Sequence, residues 1–325
     1  MKKIILSAIV FVGAMTLNAQ DEAPKLSISG TVDAYYQTYL TASDDVSGSF
    51  GTSFADEAGF ALGMANLVLS YDGEKTGVVA DLVYGPRGDS AAGGYNLNQL
   101  YAYWNVSEST TLTAGRFNTY LGYEVISPAG NFNYSTSYLF SSGPFSHVGL
   151  KADFALSEDF SLMLAVMNPT DTNNNTTGDY GFGAQLGYAG QYLNLYYDND
   201  SVLGFEIDYT GGFDLSESFF LGINGAYQVS DDAGFYGAAL YPQLTTSDSF
   251  SIGLRGELFG LHVKDVDDLP SVFATTLTGS YTVENLTIKP EVRLDSWSDN
   301  EPYVDADGVA SESLAAFTIA AIYSF

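Results

Sequence analysis

The sequence predicts an all-β chain: a transmembrane, antiparallel, up-and-down β-barrel of about sixteen strands, with a long loop after the fifth strand folded into the lumen. Three observations carry this expectation. Hydrophobicity alternates with a period of two almost everywhere, and tight turns alternate with longer loops around the whole chain. Beyond the opening segment, no apolar run approaches the ~20 residues that a membrane-spanning helix needs. Only a closed barrel satisfies its backbone in lipid without helices.

The chain opens MKKIILSAIVFVGAMTLNAQ. Lys2 and Lys3 form a basic start, Ile4 to Val12 a short apolar core, and Leu17-Asn18-Ala19 a cleavage site. Residues 1–19 thus read as a removed secretory signal, too short and wrongly flanked to span a membrane. Residues 20–325 form a single barrel domain in this reading, with 118–146 as its in-barrel constriction loop. Removing the signal leaves nine basic against 39 acidic side chains, a net charge of about −30. Nucleic acid is excluded as a partner, because a phosphate backbone needs Lys and Arg clusters. There is no cysteine, hence neither a disulfide framework nor a thiolate metal site. Together, 34 Gly, 24 Tyr and 21 Phe suit an exported barrel with aromatic girdles.

Strands are expected near 25–40, 57–71, 76–86, 95–107, 110–117, 146–157, 159–168 and 179–190. The second half adds 191–198, 202–215, 218–230, 234–246, 249–261, 271–284, 286–298 and 311–325. The tight connections are DGEKT, SES, SED, AGQ, DLSES, TTSDS and VEN, which suit periplasmic turns. The other side carries 41–56, 87–94, 118–145, 169–178, 262–270 and 299–310, with short members at 199–201 and 231–233. A soluble sandwich gives no reason for such strict alternation.

Parity assigns each strand a lipid face and a water face. In the first strand Leu26, Ile28, Val32, Ala34 and Tyr36 point out, while Asp33 points in. In 146–156 Val148, Leu150, Ala152, Phe154 and Leu156 point out, leaving His147, Lys151 and Asp153 inside. In 203–210 Leu203, Phe205, Ile207 and Tyr209 oppose inward Glu206 and Asp208. Strand 249–261 places Arg255 and Glu257 inside, and 286–295 places Lys289, Glu291, Arg293 and Asp295 inside. A midplane Arg or Lys on lipid would cost about 2–4 kcal/mol, so this segregation excludes the reverse orientation. Arg116 breaks the pattern: Leu112 and Ala114 share its face, which suggests a bulge.

The stretch Gly115–Gly149, GRFNTYLGYEVISPAGNFNYSTSYLFSSGPFSHVG, is too long for an ordinary connection. Between Asn118 and His147 its only ionised side chain is Glu124. An irregular apolar segment cannot lie in lipid with its backbone unsatisfied, so it is expected to fold inward. That would bring Tyr120, Tyr123, Glu124, Asn131, Asn133 and Tyr134 to the constriction.

Within this stretch, Gly115-Arg116-Phe117, Gly122-Tyr123-Glu124, Asn131-Phe132-Asn133-Tyr134-Ser135 and Gly143-Pro144-Phe145 resemble the central segment of the OmpL-like β-barrel porins, outer-membrane proteins frequent in Bacteroidetes. Leu97 to Tyr101 and Trp104 fit the strand two before. The resemblance implies an outer-membrane barrel and a pore, strengthens Arg116 as a lumen residue, and carries over no catalytic residue. The last strand, AAFTIAAIYSF, puts Phe317, Ile319, Ala321, Tyr323 and Phe325 on one face. It resembles the terminal signal read by the barrel-assembly machinery, with Tyr323 and Phe325 facing lipid.

Arg116, Lys151, Arg255, Lys289 and Arg293 facing Asp and Glu across a constriction would set up a transverse field that orients solutes. The plainer reading is that wet ion pairs stiffen the wall, each worth ~1 kcal/mol or less. The outer loops hold Asp44, Asp45, Asp56, Asp171, Asp179, Asp231, Asp232, Asp265, Asp267, Asp268, Asp299, Glu301, Asp305 and Asp307. Their field enriches cations at the mouth. Specific Ca²⁺ or Mg²⁺ binding is the weaker alternative, and no cofactor is expected, since the spacing around Asp305-Ala306-Asp307-Gly308 does not complete a calcium loop.

An enzyme is not expected. A lipid hydrolase needs Ser or Thr, His and an orienting group together, and only His147 and His262 exist, neither in a motif. The function that fits is an outer-membrane porin of a Gram-negative bacterium, passing small hydrophilic solutes with a cation preference. The alternatives are a plugged barrel with a structural or surface-binding role, and a channel for one substrate class along a Tyr-lined slide. Expected partners are outer-membrane lipid and lipopolysaccharide, the assembly machinery, the permeating solutes, and further copies of the chain in a homo-oligomer.

Overall fold

The computed structural model describes residues 25–44 and 49–325. The expected secretory signal and Asp45 lie outside them. Eight strands form the first half: β1 (Lys25–Tyr39), β2 (Gly59–Asp72), β3 (Thr76–Tyr84), β4 (Leu97–Ser107), β5 (Thr110–Asn118), β6 (Ser146–Ala155), β7 (Phe160–Met167) and β8 (Gly181–Tyr188). Then follow β9 (Gln191–Tyr197), β10 (Phe205–Asp214), β11 (Phe219–Ser230), β12 (Ala233–Ser247), β13 (Phe250–Val263), β14 (Ser271–Val283) and β15 (Leu286–Ser298). A small hairpin, β16 (Tyr303–Val304) with β17 (Ala310–Ser311), sits in the last long loop, before β18 (Ser313–Ser324).

β1 to β15 and β18 form one closed barrel of sixteen antiparallel strands, each hydrogen-bonded to its chain neighbours. β18 closes it on β1, running from Thr31 opposite Ser324 to Tyr39 opposite Ala316. Phe325 extends this seam through backbone bonds in both directions with Gly30, 3.0 Å each. Closure removes every sheet edge, which is what a lipid environment requires. The lipid face carries the expected alternation, with Leu26, Ile28, Val32, Leu150, Leu254, Leu258, Val292, Leu294, Tyr323 and Phe325 all exposed.

Two bulges sit opposite inward carboxylates and are held by them. Between β1 and β2 the register shifts at Asp33, whose Oδ1 accepts the Met64 N–H at 2.9 Å. Between β3 and β4 it shifts between Asp81 and Leu82, and Asn98 donates to Asp81 at 2.7 Å. Asp33 explains Gly63: a Cβ there would lie 1.7 Å from Asp33 Oδ2, an oxygen held by the Tyr134 hydroxyl at 2.6 Å. Gly63→Ala is therefore expected to push the carboxylate off both partners and cost about 1–3 kcal/mol. The check is the temperature at which the folded, fast-migrating band is lost on a denaturing gel.

Three expectations are corrected. No bulge sits at Arg116, because β5 pairs without a register shift from Thr111 to Arg116 on β4 and throughout on β6. Instead Gly115 adopts φ 134°, and the next two residues, Arg116 and Phe117, are both buried. Leu203 does not face lipid. β10 starts only at Phe205, because Asp198 gathers the backbone N–H groups of Ser201 to Gly204 and turns Leu203 into a buried cluster with Phe117, Leu121 and Met163. Finally, the loops hold short helices, α1 (Pro86–Ala92) and α2 (Tyr138–Ser142), which period-two reading passed over.

Candidate functional site: the lumen constriction

The segment between β5 and β6 folds into the barrel and closes much of its interior. Its first arm follows the wall from β9 to β13. Tyr120 packs against His147 and donates its hydroxyl to the Leu195 carbonyl at 2.7 Å. The Gly122 N–H donates to Asp208 at 3.0 Å, and Tyr123 stacks on Tyr241 with ring centres 4.4 Å apart. Glu124 forms an ion pair with Arg255 at 2.8 Å and accepts the Ser137 N–H at 2.7 Å.

The tip turns back at residues 125–132. Asn131 braces it, accepting the Val125 N–H at 2.8 Å and donating to the Val125 carbonyl at 2.7 Å. Lys289 reaches from β15 to the carbonyls of Pro128, at 3.0 Å, and Asn131. On the return arm Asn133 donates to Thr278 at 2.7 Å. The Tyr134 and Ser135 N–H groups donate to the two oxygens of Glu291, at 2.8 and 3.1 Å. Ser137 then caps α2, accepting the Phe140 N–H at 3.0 Å, as serine does at helix starts. Glu257 receives the Tyr138 and Leu139 N–H groups at 3.0 and 2.8 Å.

Small wall residues make room for this loop. A Cβ on Gly222 would lie 2.2 Å from the Tyr123 hydroxyl, and one on Gly253 would lie 2.4 Å from the Phe132 ring. The first outer loop joins the plug. Thr52 accepts from Arg293 at 3.0 Å, the Ser53 N–H donates to Ser141 at 2.9 Å, and Phe54 packs on Phe140 and Phe145. Arg87 of α1 lies between the rings of Phe54 and Tyr134, 4.5 and 5.2 Å from their centres.

The inward wall charges therefore lie beneath the loop. Asp33, Asp208, Arg255, Glu257, Lys289, Glu291, Arg293 and Asp295 are all 4 % exposed or less. All of them bond directly to backbone or side chains of the 119–145 loop, through the contacts given above, through the Thr136 carbonyl at 3.1 Å for Arg293, or through Tyr138 for Asp295. Asp295 accepts from the Tyr138 hydroxyl at 2.7 Å and pairs with Arg293 at 2.8 Å. Such charge-assisted bonds are worth ~1.5–3 kcal/mol each. They anchor the loop rather than confront a solute across open water. The exception is Lys151 with Asp153, paired at 2.7 Å with side chains 25 % and 41 % exposed. Glu206 is also buried, but nothing bonds its Oε2.

Arg116 lies at the outer end of β5, donating to the Asn98 and Ala91 carbonyls at 3.0 and 3.4 Å and to Asn173. It ties α1 and the loop after β7 to the wall. Asp171 of that loop accepts the Phe145 and Ser146 N–H groups at 3.0 and 2.8 Å. Burial pushes its carboxyl above the ordinary range, against the pull of those N–H donors and Arg116. Asp44 accepts the Tyr39 N–H at the end of β1, and Asp56 and Asp305 accept loop N–H groups. Among the described residues no three His, Cys, Asp or Glu side chains cluster as metal ligands would.

The constriction residues anticipated from sequence are thus together inside the barrel, but Tyr120, Tyr123 and Tyr134 pack against the wall instead of forming an open slide. Arg87, Ser137, Tyr138 and Tyr241 were missed. Pro86 at a helix start was a usable signal for α1, and Ser137 before an apolar run was one for α2.

The architecture has known relatives in shape. The outer-membrane channel DcaP of Acinetobacter baumannii matches with TM-score 0.60 and 12 % identity, over 94 % of this chain and 99 % of that one. An anion-selective porin from Comamonas acidovorans matches with TM-score 0.60 and 12 % identity, over 93 % and 100 %. OmpT of Vibrio cholerae matches with TM-score 0.55 and 9 % identity, over 94 % and 99 %. No curated protein matches the chain in sequence. The family described as "Putative beta-barrel porin-2, OmpL-like" matches residues 25–325, and the chain belongs to that family, whose members are barrels of the Gram-negative outer membrane.

Proposed function

We propose that the protein is a passive channel for small hydrophilic solutes, narrowed at mid-barrel by the loop between β5 and β6 and favouring cations. The observation that carries this reading is the position of that loop: it crosses the lumen and is bonded to the Leu195 carbonyl of β9 and to inward side chains from β10 round to β1. Below it, toward the tight turns, the wall side chains Lys151 and Asp153 remain partly exposed.

The cation preference has two supports. Across the whole chain the formal net charge is −28, and clefts of one sign concentrate the opposite ion. Two of the buried cations are also neutralised by carboxylates, Arg255 by Glu124 and Arg293 by Asp295. The purified protein in planar bilayers should conduct, with a reversal potential in a KCl gradient displaced toward the potassium potential. Silence at every voltage would remove the channel and leave the plugged barrel with a structural or surface-binding role. That second reading draws on the same burial of wall charges beneath the loop.

The setting of His147 supports a non-enzymatic role. His147 is wholly buried, with Tyr120 and Tyr196 beside its ring and Thr119 on Nε2 at 3.0 Å. The proposal includes docking of the β18 end, with Tyr323 and Phe325 on its lipid side, to the barrel-assembly machinery. It also allows a homo-oligomer; one of the structures similar to this chain is described as a trimer form of OmpT.

A further inference from the structure

We propose that a groove on the lipid face of β3 to β6 holds one acyl chain of a phospholipid from the periplasmic leaflet. The groove measures about 600 Å³, within the ~300–1,000 Å³ of sites that take small organic ligands, and it is open on its outer side. Two alanines make its floor. Ala102 of β4 pairs with Ala114 of β5, and the same row across the sheet runs from Tyr71 and Val78 to Leu150. One row nearer the tight turns stand Trp104 and Leu112, also paired. The alanines end at Cβ, whereas Tyr71, Val78, Trp104 and Leu150 are 42–52 % exposed and form a rim around them.

Position decides what fills the groove. Its floor lies four to five residues from the tight turn between β4 and β5, or ~10–13 Å deep at 3.3 Å per residue and a strand tilt of about 40°. The apolar band of such barrels is about 25 Å tall, so the floor stands among the acyl chains of one leaflet. A void there would leave its lining without partner atoms, and hydrocarbon is the medium at hand to supply them. A second barrel is convex and would have to push a side chain past the rim, whereas a single flexible chain can lie along the floor. Lipid tails are as apolar as leucine, so retention comes from shape and from the headgroup rather than from escape from water. The headgroup end of the groove is polar. Thr76 lines it, and beside Thr76 in the turn Glu74 and Lys75 are exposed, with no ion pair for either among the described residues. A zwitterionic headgroup, anionic at its phosphate and cationic at its amine, complements that pair.

The test is native mass spectrometry of the folded protein, released from outer membranes in a mild detergent. One phospholipid per barrel is expected to survive washing with detergent. Ala114→Phe fills the floor and should cut that occupancy at least tenfold. Ala238→Phe should leave it unchanged; Ala238 is also exposed on the lipid face, on β12, opposite the exposed Leu258. Both new side chains project away from the barrel, and heat-modifiable migration on a denaturing gel confirms that each variant is folded. Equal occupancy in the two variants would reduce the lipid to general solvation of the barrel and overturn the proposal. So would a lipid-free oligomer that Ala114→Phe dissociates, because the groove would then seat a second copy. Lipopolysaccharide in place of phospholipid would overturn it too, by putting the groove in the other leaflet. Conductance enters none of these outcomes, so the site stands or falls apart from the channel reading.

Discussion

Replacing residues 122–142 by a short Gly-Ser link is expected to raise single-channel conductance several-fold and to admit sugars that the intact protein excludes from liposomes. The deleted segment holds most of the side chains and N–H groups that fill the mid-barrel, including Tyr123, Tyr134, Tyr138 and Leu139. It has no counterpart in the wall, whose sixteen strands close through backbone bonds alone. The barrel should therefore still assemble, with lower stability, because Asp33, Glu257 and Glu291 regain water in place of the lost donors. An unchanged conductance would mean that solutes pass elsewhere and that the loop is no constriction.

The second large effect concerns Arg255. It is fully buried and donates to Glu124 at 2.8 Å, to the Ser135 carbonyl at 2.7 Å, to Ser135 Oγ and the Thr136 carbonyl at 3.3 Å, and to Thr276 at 3.1 Å. Arg255→Met would strip the cation from Glu124 and remove the positive charge beside Glu257. Breaking a buried pair from one side costs about 3–5 kcal/mol. The loop is expected to detach before the wall unfolds, seen as protease cleavage within 125–145, noisier and larger conductance, and a lowered gel transition. Adding Glu124→Gln should recover part of the loss, since removing both partners leaves no orphan charge. By contrast, Lys151→Met breaks a half-exposed pair, and its effect on stability should stay below ~1 kcal/mol. Equal losses for Arg255→Met and Lys151→Met would show that depth in the lumen does not set the strength of these pairs.

Much of this protein was legible before its structure. Alternation in Leu26–Tyr36 or Leu286–Asp295 names the lipid face directly, because lipid and water sit on opposite sides of a single strand. Strand boundaries followed from turn residues, and they fell within a few positions of the observed ones, the largest shift being the start of β10 at Phe205. The inward folding of the Gly115–Gly149 stretch followed from its apolar content alone, since lipid rejects an irregular backbone.

Parity names a face but not what stands across from it. Glu291 and Tyr134 are 157 positions apart, Arg293 and Thr52 are 241 apart, and no local pattern couples them. The wall charges therefore read as pore lining, where the fold makes them anchors. Arg116 is buried through bonds to the Asn98 and Ala91 carbonyls, and Leu203 through one carboxylate gathering backbone N–H groups; both depend on contacts that side-chain periodicity does not record. The same holds for Glu206. Its inward direction belongs to the alternation of β10, while its lack of a partner depends on where the loop places its own polar groups. Local chemistry along each strand was enough to specify the barrel, because solvent sorts every strand independently. The constriction arises from contacts between distant segments, and those exist only once the barrel has closed around the loop.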